Sequence, residues 1–202
     1  MEQRTEEWYA ARLGKVTASR VADVIAKTKS SYSTSRANYM AELVCERLTG
    51  KKGDSYSNSA MVWGTNTEPL ARAAYEARTG FLVEEVGFVL HPSIAQAGCS
   101  PDGFIEEESL IEIKCPMTNQ HIDTLLSSEV PSKYVPQMQW QMACTGRKWC
   151  DFVSFDPRLP ENMQLFIKRV MRDQMMITEL EREVEKFLFE LDQKVTRLKA
   201  QY

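Results

Sequence analysis

The chain has 202 residues, 43% hydrophobic and 26% charged, with a formal net charge of −3 at pH 7. These values suit an ordinary soluble globular protein and a single domain over residues 1–202. No apolar run is long enough to span a membrane and the polar start, Met1 to Glu7, does not read as a signal peptide, so a cytoplasmic protein with no membrane contact is expected.

Five scattered cysteines and two histidines, His91 and His121, show no metal-ligand spacing. That argues against a zinc site, an iron–sulfur cluster or a disulfide framework, and the cysteines read as small buried residues. Charge is unevenly spread. Residues 1–52 carry 10 Lys and Arg against 6 Asp and Glu, whereas residues 53–202 carry 15 against 22. The acidic total argues against a simple DNA-coating protein, but a basic N-terminal quarter can bind phosphate locally.

In chain order, Thr5 caps a predicted helix over residues 5–13, anchored by Trp8 and Leu13 and ended by Gly14. Thr17 or Ser19 can cap a second helix from Arg20 to about Lys27. The serine-rich run 27–35 predicts a loop. A helix from Arg36 to Leu48 stops at Gly50, and a polar loop covers residues 51–59. The next helix is expected to open at Thr65 to Pro69, since proline is tolerated in a first turn, and to run to about Arg78. One or two strands fall between Phe81 and Leu90, then a turn at His91-Pro92-Ser93.

Residues 95–105 and 110–115 read as strands forming a hairpin. A helix near 120–126 follows, then one from the Pro131–Pro136 region to Thr145, then a strand over 150–155. From about Pro160 the pattern reads as helical to the end, an extension over 160–202. Within it Leu180, Val184, Phe187, Leu191, Val195 and Leu198 make a heptad-like seam, able to pack on its own domain or on another subunit. The element order predicts an α/β (α+β) fold, a central mixed β-sheet flanked by helices with a long C-terminal helical segment.

The chemistry concentrates in Ser100-Pro101-Asp102-Gly103 and Leu110-Ile111-Glu112-Ile113-Lys114. With a period of two, Glu112 and Lys114 share one strand face, and Ile111 and Ile113 the other. Asp102 falls at the bend before that strand. Two carboxylates and an amine then meet at a sheet edge, hard ligands that suit Mg²⁺ or Mn²⁺, in a setting suited to phosphodiester hydrolysis. The alternative is a surface hairpin with a Glu112–Lys114 ion pair. Charges inside an apolar strand weigh against it.

Other constellations have two readings each. Glu68 can reach the metal site, or serve a helix start and pair with Arg72. Tyr134, Gln137 and Gln141 fall on one helix face, with Gln139 pointing elsewhere; they either flank the catalytic centre or form a polar helix face. Arg12 with Thr17 and Ser19 makes either a phosphate pocket or a helix cap and a surface arginine.

Five motifs occur in a fixed order: Trp8-x3-Arg12-x-Gly14-x2-Thr17-Ala18-Ser19, Trp63-Gly64-x3-Glu68, Ser100-Pro101-Asp102-Gly103, Glu112-Ile113-Lys114 and Tyr134-x2-Gln137-x-Gln139. Together they resemble the phage lambda exonuclease family, the YqaJ-type viral recombinase nucleases of the PD-(D/E)xK superfamily, over about residues 5–160. The resemblance implies a restriction-endonuclease-like core and a phage- or prophage-encoded 5′→3′ exonuclease on linear duplex DNA, leaving 3′ single strands for recombination. It implies Asp102, Glu112 and the backbone carbonyl of Ile113 as ligands of two Mg²⁺ ions, replaceable by Mn²⁺, with Glu68 in support directly or through water. Lys114 would orient the attacking water. Arg12, Ser19, Ser100 and Gln137 would hold the 5′-phosphate, with Tyr134 and Gln139 in the same DNA-binding motif. A homotrimeric ring and a single-strand annealing protein as partner are also implied. A structure-specific or restriction-type endonuclease on the same core, or an inactive DNA-end-binding scaffold, are the rival expectations.

Overall fold

Thr5 accepts a hydrogen bond from the Trp8 amide and so caps the first helix, α1 (Glu6–Arg12). The computed structural model describes residues 2–53 and 58–202. After α1 the chain turns at Gly14, whose φ of +68° is left-handed and whose Cα lies so close to Arg47 that a Cβ would sit 2.9 Å from its Cγ. Glu46 accepts the Gly14 amide at 2.7 Å and Arg47 donates to the Gly14 carbonyl at 2.8 Å, which pins this turn. A short strand β1 (Val16–Thr17), a 3₁₀ turn (Ala18–Arg20) and α2 (Val21–Ile25) follow. The helix expected from Arg20 to Lys27 is thus shorter, and Ser19 lies inside the 3₁₀ turn rather than capping it.

Helix α3 (Thr34–Thr49) ends at Gly50 in the left-handed conformation. The predicted loop over 51–59 falls partly outside the described residues. Helix α4 (Ser59–Thr79) starts six residues earlier than expected. Asn58 supplies the cap by accepting from the Met61 amide at 2.9 Å. Pro69 therefore sits in the helix interior, where it removes one amide donor, and Glu68 is a mid-helix residue away from the favourable end of the dipole.

Seven further strands build two sheets: β2 (Val83–Glu84), β3 (Val89–Leu90), β4 (Ala97–Cys99), β5 (Gly103–Ile105), β6 (Ser109–Lys114), β7 (Trp149–Phe155) and β8 (Leu165–Met171). The small sheet has the order β1-β4-β3 and the large one β2-β5-β6-β7-β8. Within the large sheet only β6 and β7 run parallel, so it is mixed as expected. Helices α5 (Thr118–Ser127) and α6 (Val135–Thr145) connect β6 to β7, and α7 (Gln174–Gln201) closes the described fold.

Strand β8 corrects the expectation of continuous helix from Pro160. The apolar positions Phe166, Ile167, Val170 and Met171 carry a helical spacing. However, all seven residues of β8 pair antiparallel with β7, from Leu165 opposite Phe155 to Met171 opposite Trp149. Tertiary pairing overrides the local pattern. The heptad seam holds over most of its length, because Leu180, Val184, Phe187, Leu191 and Val195 are buried with α2, α3 and Trp140 of α6, while Leu198 is exposed.

The large sheet is covered on both faces. Ile111, Ile113 and Val153 pack with Ala71 and Tyr75 of α4. Leu110 and Phe152 pack with Met138 and Met142 of α6. The alternation along β6 thus turns Glu112 and Lys114 toward α6. Between the sheets the chain passes from β4 to β5 through Ser100-Pro101-Asp102, so the expected strand over 95–105 is two strands in different sheets. Gly103 opens β5 because β2 crosses closely there, and a Cβ would lie 2.2 Å from Val83 Cγ1.

Candidate active site

Asp102 stands at the junction of the two sheets. Its Oδ2 accepts the Ile113 backbone N–H at 2.6 Å, which locks the bend against β6. One strand position on either side of Ile113, Glu112 and Lys114 face the same region. Lys114 Nζ lies 2.5 Å from Glu112 Oε1 and 5.0 Å from the centre of the Tyr134 ring. Gln137 Nε2 donates to Glu112 Oε1 at 2.6 Å, and Gln141 Nε2 to Glu112 Oε2 at 2.6 Å. Glu112 is only 1% exposed. It is therefore no surface ion pair but a buried carboxylate held by three donors, the condition under which burial of charge is tolerated.

The electrostatics follow from that crowding. Burial, together with Glu112 and Glu68, raises Asp102 well above the ordinary carboxylate range, against the pull of Lys114 and the Ile113 amide. Burial would strip Lys114 of its proton, but Glu112 and Asp102 outweigh it and hold the ammonium above its ordinary value. A lysine beside two carboxylates thus keeps its charge and its hydrogen-bond donors.

Negative charge gathered on hard oxygen atoms is what a small divalent cation takes up. Asp102 and Glu112 present donors of that kind at the sheet junction. Glu68 lies near enough for its charge to act on Asp102, but its carboxylate is engaged by two arginines. It pairs with Arg4 at 2.7 Å and with Arg72, four residues on, at 3.3 Å. Among the described residues no three His, Cys, Asp or Glu side chains converge as a ready metal centre.

Beside the carboxylates lies a corner built on Arg12, Trp8 and Ser100. Ser100 Oγ accepts from Arg12 Nη1 at 3.0 Å and from Trp8 Nε1 at 2.9 Å, and the Arg12 guanidinium stacks 4.0 Å from the Trp8 ring. Burial lowers Arg12 below the ordinary guanidinium value, the mark of a cation short of solvation. Arg12 and Ser19 line a cleft of about 750 Å³ that also takes in Arg4, Lys15, Arg20 and Lys52. Ser19 Oγ lies 3.5 Å from Thr17 Oγ1. Part of the basic excess of residues 1–52 thus faces this cleft, together with Glu42 and Glu46.

Two expected site residues behave differently. Tyr134 stacks on Phe152, with ring centres 5.7 Å apart, and borders the site through Lys114. Gln139 is not at the site. It is buried and uses both ends of its amide elsewhere, donating to the Met171 carbonyl and accepting from the Asp173 amide, each at 2.8 Å. Its role is to tie α6 to the start of α7. His121 is a buried structural residue between Ser154 Oγ, at 2.7 Å, and the Met163 carbonyl, at 2.9 Å.

Sequence reasoning gave Trp8 no role at the site and gave Gln141 no specific partner. Both signals were present as helical spacing, Trp8 one turn before Arg12 and Gln141 one turn after Gln137.

A sheet junction that sets two carboxylates and a charged lysine beside a desolvated arginine is suited to phosphate esters. The class it defines, with this mixed sheet and these flanking helices, is a nuclease of the restriction-endonuclease-like fold. The chain belongs to the YqaJ-like viral recombinase family, whose domain profile matches residues 7–148. LHK-Exo, an alkaline exonuclease from Laribacter hongkongensis, is 55% identical. Its dAMP complex superimposes with a TM-score of 0.92 and a second crystal structure with 0.91, each covering 98% of this chain and 97% of the other. A phage-related exonuclease from Haemophilus somnus 129PT shares the fold at 16% identity and a TM-score of 0.75, over 91% of this chain and 96% of that one. No curated protein sequence matches significantly. Likeness of this depth over nearly the whole chain makes the protein an enzyme of the exonuclease kind. Among the described residues no helix is long and apolar enough to cross a membrane.

Proposed function

We propose that this enzyme degrades the 5′-ended strand of linear duplex DNA in the 5′→3′ direction, releasing 5′-mononucleotides and leaving a 3′ single strand for recombination. The observation that carries it is the Asp102–Glu112–Lys114 group beside the Arg12–Ser100 corner, a centre for hydrolysis next to a grip for a terminal phosphate. That a 55% identical exonuclease is known in complex with dAMP supports a mononucleotide product.

The residues divide the work. Arg12 gives a guanidinium fork to the terminal phosphate, while the Ser100 and Ser19 hydroxyls donate to its oxygen atoms and Gln137 borders the same pocket. Fixing that phosphate sets the register, so each cut removes one nucleotide and recreates a 5′-phosphate. Lys114, kept charged by Glu112 and Asp102, orients the attacking water and stabilises the charge that develops on the phosphoryl oxygens. Tyr134 walls Lys114 on one side. Mg²⁺, or Mn²⁺ in its place, held by Asp102, Glu112 and the Ile113 carbonyl with Glu68 acting through water, would supply Lewis-acid stabilisation of the attacking and leaving oxygens, best done by two ions.

A homotrimeric ring around the duplex, acting in the cytoplasm beside a single-strand annealing protein, would keep the enzyme on its strand and pass on the 3′ tail. The rival is an endonuclease on the same core. Covalently closed circular duplex separates the two, since an end-dependent exonuclease leaves it intact and an endonuclease linearises it.

A further inference from the structure

Glu112 carries three donors on two oxygens, unequally placed. Oε1 takes Lys114 Nζ at 2.5 Å and Gln137 Nε2 at 2.6 Å, whereas Oε2 takes Gln141 Nε2 at 2.6 Å. Gln137 and Gln141 stand one turn apart on the same face of α6. Their bonds to Glu112 have the same length, but their settings differ. Gln137 is partly exposed, and among the described residues its own Oε1 is tied to Lys114 alone, at 3.4 Å. Gln141 is 0% exposed, and its Oε1 finds no hydrogen-bond partner among the described residues. A leucine there would remove that unpartnered oxygen but would leave Glu112 Oε2 without its donor, so the contribution of the amide is its bond to Glu112.

We infer that Gln141 is a positioning residue for cation binding, fixing Oε2 and the side-chain orientation of Glu112, while Gln137 is a placeholder on Oε1 that an entering divalent cation displaces. The assignment rests on Glu112 being a cation ligand, as proposed above. A fully enclosed amide cannot swing aside without breaking the packing of α6, so its bond survives ligand entry and preorganises the carboxylate. A partly exposed amide can exchange its partner for solvent or substrate. Two glutamines with the same chemistry and the same bond length then act on cation affinity with opposite sign.

The test is calorimetric titration of Mn²⁺ into the whole protein without DNA, for the wild type and for Gln141→Leu, Gln141→Asn and Gln137→Leu, with thermal unfolding followed in parallel. Loss of the Gln141 bond should weaken Mn²⁺ binding roughly 10- to 100-fold, the usual effect of removing a residue that orients a ligand. Gln137→Leu should tighten it several-fold, because a competitor for Oε1 is gone. Gln141→Asn, too short to reach Oε2 but still polar, serves if the leucine variant fails to fold, and Gln137→Leu tests the sign by itself. Equal weakening by both positions, or no change at Gln141, overturns the inference while leaving the cation site standing. Absence of Mn²⁺ binding by the wild type overturns the inference and the proposed ligand role of Glu112 together.

Discussion

Arg12 Nη1 lies 3.0 Å from Ser100 Oγ although 88 residues separate them in the chain. The contact joins α1 to the junction of the two sheets, two residues before Asp102. It is held by the Gly14 turn behind it and by Trp8, which donates to the same oxygen. Ser100 accepts twice there, so its own hydroxyl proton remains to be given to an anion. Arg12→Ala should slow degradation of 5′-phosphorylated linear duplex by about 10²-fold or more, the scale of a lost charged positioning contact. It should also erase the preference for 5′-phosphate over 5′-hydroxyl ends. Initial rates on the two end types check this, and equal wild-type rates on both would remove the phosphate pocket from the account.

Lys114→Ala should reduce hydrolysis by about 10²–10⁴-fold while duplex binding survives, because the lysine acts on the reacting groups and the basic cleft lies elsewhere. Single-turnover rates paired with fluorescence anisotropy separate the two effects. Unchanged turnover would assign the ammonium to structure alone.

Gly103→Ala should destabilise the fold by about 1–3 kcal/mol, since the new methyl group meets Val83 Cγ1 at 2.2 Å and must push β2 or β5 aside. The shift would also move Asp102, its neighbour, so activity should fall further than the unfolded fraction explains. Urea unfolding and specific activity on the same preparation test both parts.

Asp156 gives a pH signature outside the active site. It is fully buried and accepts from Arg158 at 2.8 and 2.9 Å and from Thr118 at 2.7 Å. Burial alone would raise its pKa, but these bonds outweigh it and lower the group to about 2. An unfolded aspartate titrates near ~3.9. The folded group is therefore the stronger acid, and its stabilising contribution is complete above about pH 4 and lost as the pH falls toward 2. Asp156→Asn should cost about 1–3 kcal/mol at neutral pH. The variant should also lack the part of the acid-induced loss that comes from this group, as urea titrations between pH 2 and 7 would show.

What could be read in the sequence was what local chemistry controls. Thr5 marks a helix start through its side-chain oxygen and Gly50 a helix end through its left-handed backbone, and the period of two placed Glu112 and Lys114 on one face of β6. What could not be read depends on partners far along the chain. Residues 165–171 carry a helical spacing and become a strand only because β7 is there to pair with them. The early start of α4 rests on Asn58, a cap eleven residues ahead of Pro69, whose tolerance in a first turn points to a later start. Gln139 shares a short motif with Gln137, yet two positions along a helix turn a side chain toward another face, here to the β8–α7 junction. Glu68 is engaged by Arg4, a residue 64 positions away, which no spacing rule reveals.

The most direct measurement is degradation of a linear duplex labelled separately at each 5′ and 3′ end, run with Mg²⁺ and with chelator. Rapid release of the 5′ label as mononucleotide, persistence of the 3′-ended strand and silence under chelation are the expected result. Early loss of the 3′ label, large internal fragments, or full activity in chelator would contradict an end-dependent, cation-requiring 5′→3′ exonuclease.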